Sequence, residues 1–117
     1  MKYTIYHNPR CRKSREALNL LEEKDIKFEV VKYLEQNFDK QTLLKVLELI
    51  GKKPSEILRK NEAIWKHQFS DKKLDEDQIV ELMISNPKLI ERPIVTTENL
   101  GVLARPIENL IDFIDKN

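Results

Sequence analysis

With 117 residues the chain falls within the usual length of one domain, read here as residues 1–117, and it is long enough to bury a real core. Lys and Arg total 21 against 20 Asp and Glu, a net charge of +1, so no strong global field points to nucleic acid or to an anionic membrane. The single cysteine excludes an internal disulfide framework and an all-cysteine metal site.

Tyr3-Thr4-Ile5-Tyr6 is β-branched and aromatic and reads as a short buried strand, ended by the turn signal Asn8-Pro9. No apolar run of signal-peptide length precedes His7, and none anywhere reaches the roughly 18 residues that span a bilayer. The cytoplasm is therefore the expected location. Ala17, Leu18 and Leu21 recur at helical spacing, so a helix starts near Cys11 or Arg12 and ends near Lys24-Asp25. Phe28-Glu29-Val30-Val31-Lys32-Tyr33 reads as a second strand, parallel to the first through a right-handed βαβ unit.

Asp39 is the expected N-cap of an amphipathic helix with Leu43, Val46, Leu47 and Ile50 on one face, stopped by Gly51. Pro54 suits the first position of a short helix carrying Ile57, Leu58 and Arg59, and Asn61 can cap a further turn or two. Trp65, His67 and Phe69 are expected to anchor this region by packing. Asp75 and Gln78 stand at capping-box spacing ahead of a helix that Asn86-Pro87 ends. Ile94-Val95-Thr96-Thr97 reads as a third strand, Glu98-Asn99 as a hairpin turn and residues 100–104 as the returning strand. Pro106 then opens a terminal helix with Leu110, Ile111 and Ile114 facing inward.

The order is βαβ, several helices, ββα. That set suits an α/β, thioredoxin-like, four-stranded mixed sheet with a helical insertion at about residues 38–86, although periodicity alone does not separate it from other small α/β folds.

Cys11 falls on the strand-to-helix turn. The first N–H groups of a helix lack intrahelical partners and, with the dipole, favour a nearby negative charge. Arg10, Arg12, Lys13 and Arg15 surround the same point. A cysteine so placed is expected to have a lowered pKa and to share its donors with a small oxyanion. The plainer alternative, a buried and inert thiol, fits this cluster of cations less well.

Further arginines are expected to converge on Cys11. Arg59 closes a short helix, while Arg92 and Arg105 each precede a proline and are held extended, side by side if the last two strands form a hairpin. Guanidinium groups grip tetrahedral oxyanions with paired hydrogen bonds. Pro93 is a candidate cis proline. His7 reads two ways, as an electrostatic tuner of the thiolate or as a satisfied strand-end histidine. A Cys-x5-Arg phosphatase loop is disfavoured because Ala17 stands where the arginine would be, and Ser14 stands where a Cys-x-x-Cys motif needs its second thiol.

Four motifs lie in order along the chain: Tyr6-His7-Asn8-Pro9-x-Cys11-x-x-Ser14-Arg15, Ile57-Leu58-Arg59-Lys60, Asn86-Pro87-x-Leu89-Ile90-x-Arg92-Pro93-Ile94-Val95 and Arg105-Pro106. With them the chain resembles the glutaredoxin-coupled arsenate reductase family, a thioredoxin-fold group, and looks most like its branch of short, uncharacterised-type members. The resemblance implies an enzyme that reduces arsenate to arsenite. It implies a nucleophilic Cys11, oxyanion binding by Arg59, Arg92 and Arg105, support from His7, Ser14 and Arg15, and a cis Pro93. Ser14 would hydrogen-bond the thiolate. It also implies a covalent thiol-arsenate adduct, glutathione as co-substrate and glutaredoxin as the partner that resolves the mixed disulfide. No bound cofactor, metal, nucleic acid or membrane is expected. In one respect the chain departs from the dedicated enzymes: Arg12-Lys13 follows the cysteine where they usually carry a small residue, so that Arg12 either crowds the anion pocket or adds a cation. Two alternatives are a monothiol protein that exchanges with glutathione without arsenate turnover, and a regulator that binds RNA polymerase, although Ser14 removes the Cys-x-x-Cys sensor of the latter.

Overall fold

The computed structural model describes residues 2–117. Four strands, β1 (Tyr3–Tyr6), β2 (Phe28–Val31), β3 (Ile94–Thr96) and β4 (Gly101–Leu103), form one mixed sheet in the order β2-β1-β3-β4. β1 and β2 are parallel, pairing Tyr3 with Phe28 and Tyr6 with Val31, whereas β3 runs antiparallel to both β1 and β4. Helices α1 (Arg12–Glu23), α2 (Lys40–Ile50), α3 (Ala63–Gln68), α4 (Glu76–Ser85) and α5 (Ile107–Lys116) complete the chain, with 3-10 turns at Pro54–Ile57 and Pro87–Leu89. This is the thioredoxin-like α/β fold, with a βαβ half, a ββα half and helices inserted between them.

Strand side chains alternate across the sheet and so feed two cores. Tyr3, Ile5 and Val95 pack with Ala17 and Leu21 of α1 and Leu110 of α5. On the opposite face Ile94 joins Tyr33, Leu43, Val46, Leu47, Trp65, Met83, Leu89 and Ile90. Ile111 and Ile114 of α5 are only partly buried, and His67 is exposed rather than packed beside Trp65 and Phe69.

Local chemistry sets the helix ends. Asp39 accepts a hydrogen bond from the Thr42 N–H at 2.8 Å, and Gly51 closes α2 in the left-handed region at φ 66°. Asp75 and Gln78 form the reciprocal box at the start of α4. The short helix expected to carry Arg59 is instead a 3-10 turn that stops at Ile57. Leu58 then pairs with Ile90 as an isolated antiparallel bridge, flanked by Arg59 N–H to Leu89 O at 2.8 Å and Glu91 N–H to Ile57 O at 2.9 Å. An extended partner from a distant segment wins over the local helical tendency. The result is that Arg59 and Glu91 lie on paired backbone beside the sheet.

Candidate active site

Cys11 is the N-cap of α1, with extended backbone at φ −92° and ψ 123° and a half-buried side chain. The turn before it is tied by its own polar groups. The Cys11 N–H donates to Asn8 O at 3.0 Å, and the Asn8 side chain accepts from the Arg10 N–H at 3.0 Å. Ser14, fully buried, accepts from the Asn8 N–H at 3.0 Å, and its hydroxyl lies 2.6 Å from His7 Nδ1. Burial, followed by the charges of Lys32 and Arg15, lowers the pKa of His7, which favours the neutral ring. His7 Nδ1 and the Ser14 hydroxyl are thus hydrogen-bonded to each other inside the loop. The Ser14 hydroxyl meets His7 and Asn8, and the Ser14 backbone N–H favours the ionised sulfur.

Burial would raise the Cys11 pKa. The Ser14 N–H, the Arg92 guanidinium and the Lys13 N–H outweigh it, and the thiol ionises below its ordinary value. No capping bond is closed to the sulfur, so the amides act as nearby dipoles. The four neighbouring cations play a smaller part than their spacing suggests. Arg10 and Lys13 are exposed, and Arg15 donates to Pro9 O at 3.0 Å. Arg12 is 86% exposed and pairs with Glu16 at 3.7 Å, so it neither crowds the site nor serves it.

The cations at the sulfur arrive from the other end of the chain. Arg92 precedes β3 and Arg105 follows β4, at the same end of that antiparallel pair, and each is followed by a cis peptide bond to proline. Arg105 Nη1 is 4.0 Å from Cys11 Sγ and 3.4 Å from Arg92 O. Arg92 Nη1 is 3.4 Å from Lys88 O. Arg59 stands one step back. Its Nη1 donates to Glu91 Oε1 at 3.2 Å and its Nε is 3.5 Å from Glu62 Oε2. The other oxygen of Glu91 is 3.7 Å from Arg105 Nε. Tyr33, its ring fully buried, feels Arg92, Arg59 and Cys11, yet burial dominates and pushes its pKa up to about 12.

Glu91, Glu62 and Tyr33 have no signature of their own in the sequence. Only the position of Glu91 beside Arg92 could have drawn attention to it. Among the described residues two buried side-chain donors, Arg59 Nε and Arg92 Nε, lack hydrogen-bond partners, but Arg59 Nε has the Glu62 carboxylate beside it at 3.5 Å, which leaves Arg92 Nε as the open one. Orphaned donors of this kind are costly unless something fills them. The arrangement can therefore stabilise a thiolate and present guanidinium N–H groups to a small anion. Among the described residues no group of His, Cys, Asp or Glu could hold a metal ion, and no helix is long and apolar enough to cross a membrane.

The ArsC family model matches residues 6–113. Protein YfgD of Escherichia coli K12, described as uncharacterized, is 42% identical over 112 residues, 94% of each chain. An arsenate reductase of Neisseria meningitidis serogroup A is 39% identical over 108 residues, 91% of this chain and 92% of that one. The structure of an arsenate reductase from Vibrio cholerae superposes with a TM-score of 0.88 at 37% identity, covering 96% of this chain and 97% of the other.

One expectation is corrected here. The glutaredoxin-coupled subtype, with glutathione as co-substrate and glutaredoxin as partner, is at odds with a site whose only sulfur is Cys11. With no second thiol in the chain there is no relay of several cysteines, and the matches support the wider family rather than that subtype. Over nearly its whole length, and with the fold in common, the chain belongs to the ArsC family.

Proposed function

We propose that the protein is a monothiol oxidoreductase of the arsenate-reductase type, with Cys11 as its nucleophile and Arg92 and Arg105 holding a small tetrahedral oxyanion against the sulfur. The observation that carries this reading is the convergence of two guanidinium groups from distant segments on a thiol whose ionisation is already eased. The thiolate lone pair forms a bond to the electrophilic centre while an oxygen, taking up protons, leaves as water. Negative charge that builds on the remaining oxygens falls among the guanidinium donors, including the orphaned Arg92 Nε. Completing a two-electron reduction takes a second sulfur, and this chain has none to give, so that thiol belongs to another molecule. His7, Ser14 and Arg15 shape the loop, and Arg59 acts through Glu91. A cytoplasmic location suits a lone thiol that must stay reduced.

A second reading, monothiol exchange without arsenate turnover, is favoured by one observation: Glu91 already engages Arg59 and Arg105. Arsenite released from arsenate in the presence of excess dithiothreitol separates the two. The expected result is arsenite formation by the wild type and only the uncatalysed background with Cys11→Ser. Background rates for both overturn the first reading. Rapid capture of Cys11 by a small aromatic disulfide would then support the second.

A further inference from the structure

The carboxylate of Glu91 is placed as a ligand would be. One oxygen meets Arg59 Nη1 at 3.2 Å and the other lies 3.7 Å from Arg105 Nε, so a single anion spans two of the three arginines. Arg105 in turn reaches Cys11 Sγ at 4.0 Å. The side chains of Glu91 and Arg59 are only 24% and 16% exposed, so bulk water screens this contact less than a surface pair. Formal charges close without any ligand: Arg59, Arg92 and Arg105 stand against Glu62, Glu91 and the Cys11 thiolate. A dianion entering this group leaves it with surplus negative charge, unless one carboxylate yields its place.

We propose that Glu91 is a built-in counter-anion that occupies the guanidinium groups of Arg59 and Arg105 in the empty site and competes there with incoming tetrahedral oxyanions. It is a positioning and specificity-determining residue and does not touch the reacting atoms. Inert anions such as sulfate and phosphate must displace it to bind, and gain no bond to sulfur in return. An oxyanion that reacts with the thiolate adds a covalent bond to the same exchange. Glu91 thereby keeps the thiolate open to the reactive class.

This inference rests on the anion-pocket reading, and the test tells the two apart. Inorganic sulfate and phosphate are titrated, at constant ionic strength, for their ability to slow alkylation of Cys11 by iodoacetamide, and the pH profile of alkylation gives the thiol pKa. Glu91→Gln keeps an acceptor for Arg59 while removing the charge. It is expected to lower the half-protecting sulfate concentration about tenfold and the thiol pKa by about half a unit, given the size of charge effects at partly buried sites. Glu91→Ala is expected to move both quantities in the same direction, and Glu91→Asp to stay near wild type. Unchanged or weaker protection in both neutral variants overturns the proposal, because Glu91 then only orients arginines. Protection of the wild type in that case leaves the pocket standing. No protection of any form refutes the pocket, and the role of Glu91 with it.

Discussion

At Cys11 a few groups decide the charge state of one sulfur. Burial works against ionisation, and the Ser14 and Lys13 amides together with Arg92 overcome it. Replacing Arg92 by Gln should raise the thiol pKa by about one unit, whereas Lys13→Ala should change it little because Lys13 contributes its backbone N–H. Alkylation rate against pH measures both. The shift also links ionisation to folding. A group whose folded pKa lies below its unfolded value adds stability above the unfolded value, and that contribution fades as pH falls through the folded pKa. Urea unfolding of wild type and Cys11→Ser should therefore show a gap that widens in favour of wild type as the pH rises through the lowered folded-state value toward the ordinary thiol value of 9.0. The placement of Cys11 at a strand–helix turn, and of Arg92 and Arg105 side by side at the two Arg-Pro steps that flank a hairpin, is legible in the sequence. Glu91 was not legible, since one carboxylate among 20 acidic residues has no pattern until the fold brings Arg59 and Arg105 to it. The charge crowded around residues 10–15 misleads for a related reason. Spacing along a chain says nothing about which way an exposed side chain turns.

Among the elements, the caps and stops follow nearest-neighbour chemistry, which is why Asp39, Gly51 and the Asp75–Gln78 pair could be read directly. The bridge between Leu58 and Ile90 could not, because a pairing of single residues leaves no periodicity to detect. Strand β4 shows the same dependence on tertiary context. A Cβ built on Gly101 would come within 3.0 Å of Ile50 Cγ2, 3.1 Å of Thr96 Cγ2 and 3.2 Å of Leu49 Cβ. The end of α2 therefore rests on the bare backbone of β4. Gly101→Ala should destabilise the protein by about 1–3 kcal/mol through overpacking, read as a lower urea midpoint with an unchanged slope.

Across the whole molecule, a thin sheet separates two apolar cores that share its strands. Ile94 and Val95, adjacent in sequence, point into different cores, so neither face can lose its packing without disturbing the strand the other needs. The single tryptophan, Trp65, lies on the face of the inserted helices, and Leu110 is fully buried on the opposite one. Leu110→Ala should cost about 2–5 kcal/mol. If the chain unfolds as one unit, Trp65 fluorescence and far-ultraviolet circular dichroism should shift together to the same lower midpoint. A fluorescence transition that ignores the substitution would divide the chain into two cooperative units.

The paired backbone at residues 57–59 and 89–91 has a bearing on dynamics as well. Two main-chain bonds, from the Arg59 amide and the Glu91 amide, splint together the segments that present a cation and its counter-ion. Side chains on opposite sides of such a splint share one reference frame, so a tug on either travels into both segments. Those two amides should exchange hydrogen for deuterium in step, and an anion that dislodges the Glu91 carboxylate should leave their protection intact.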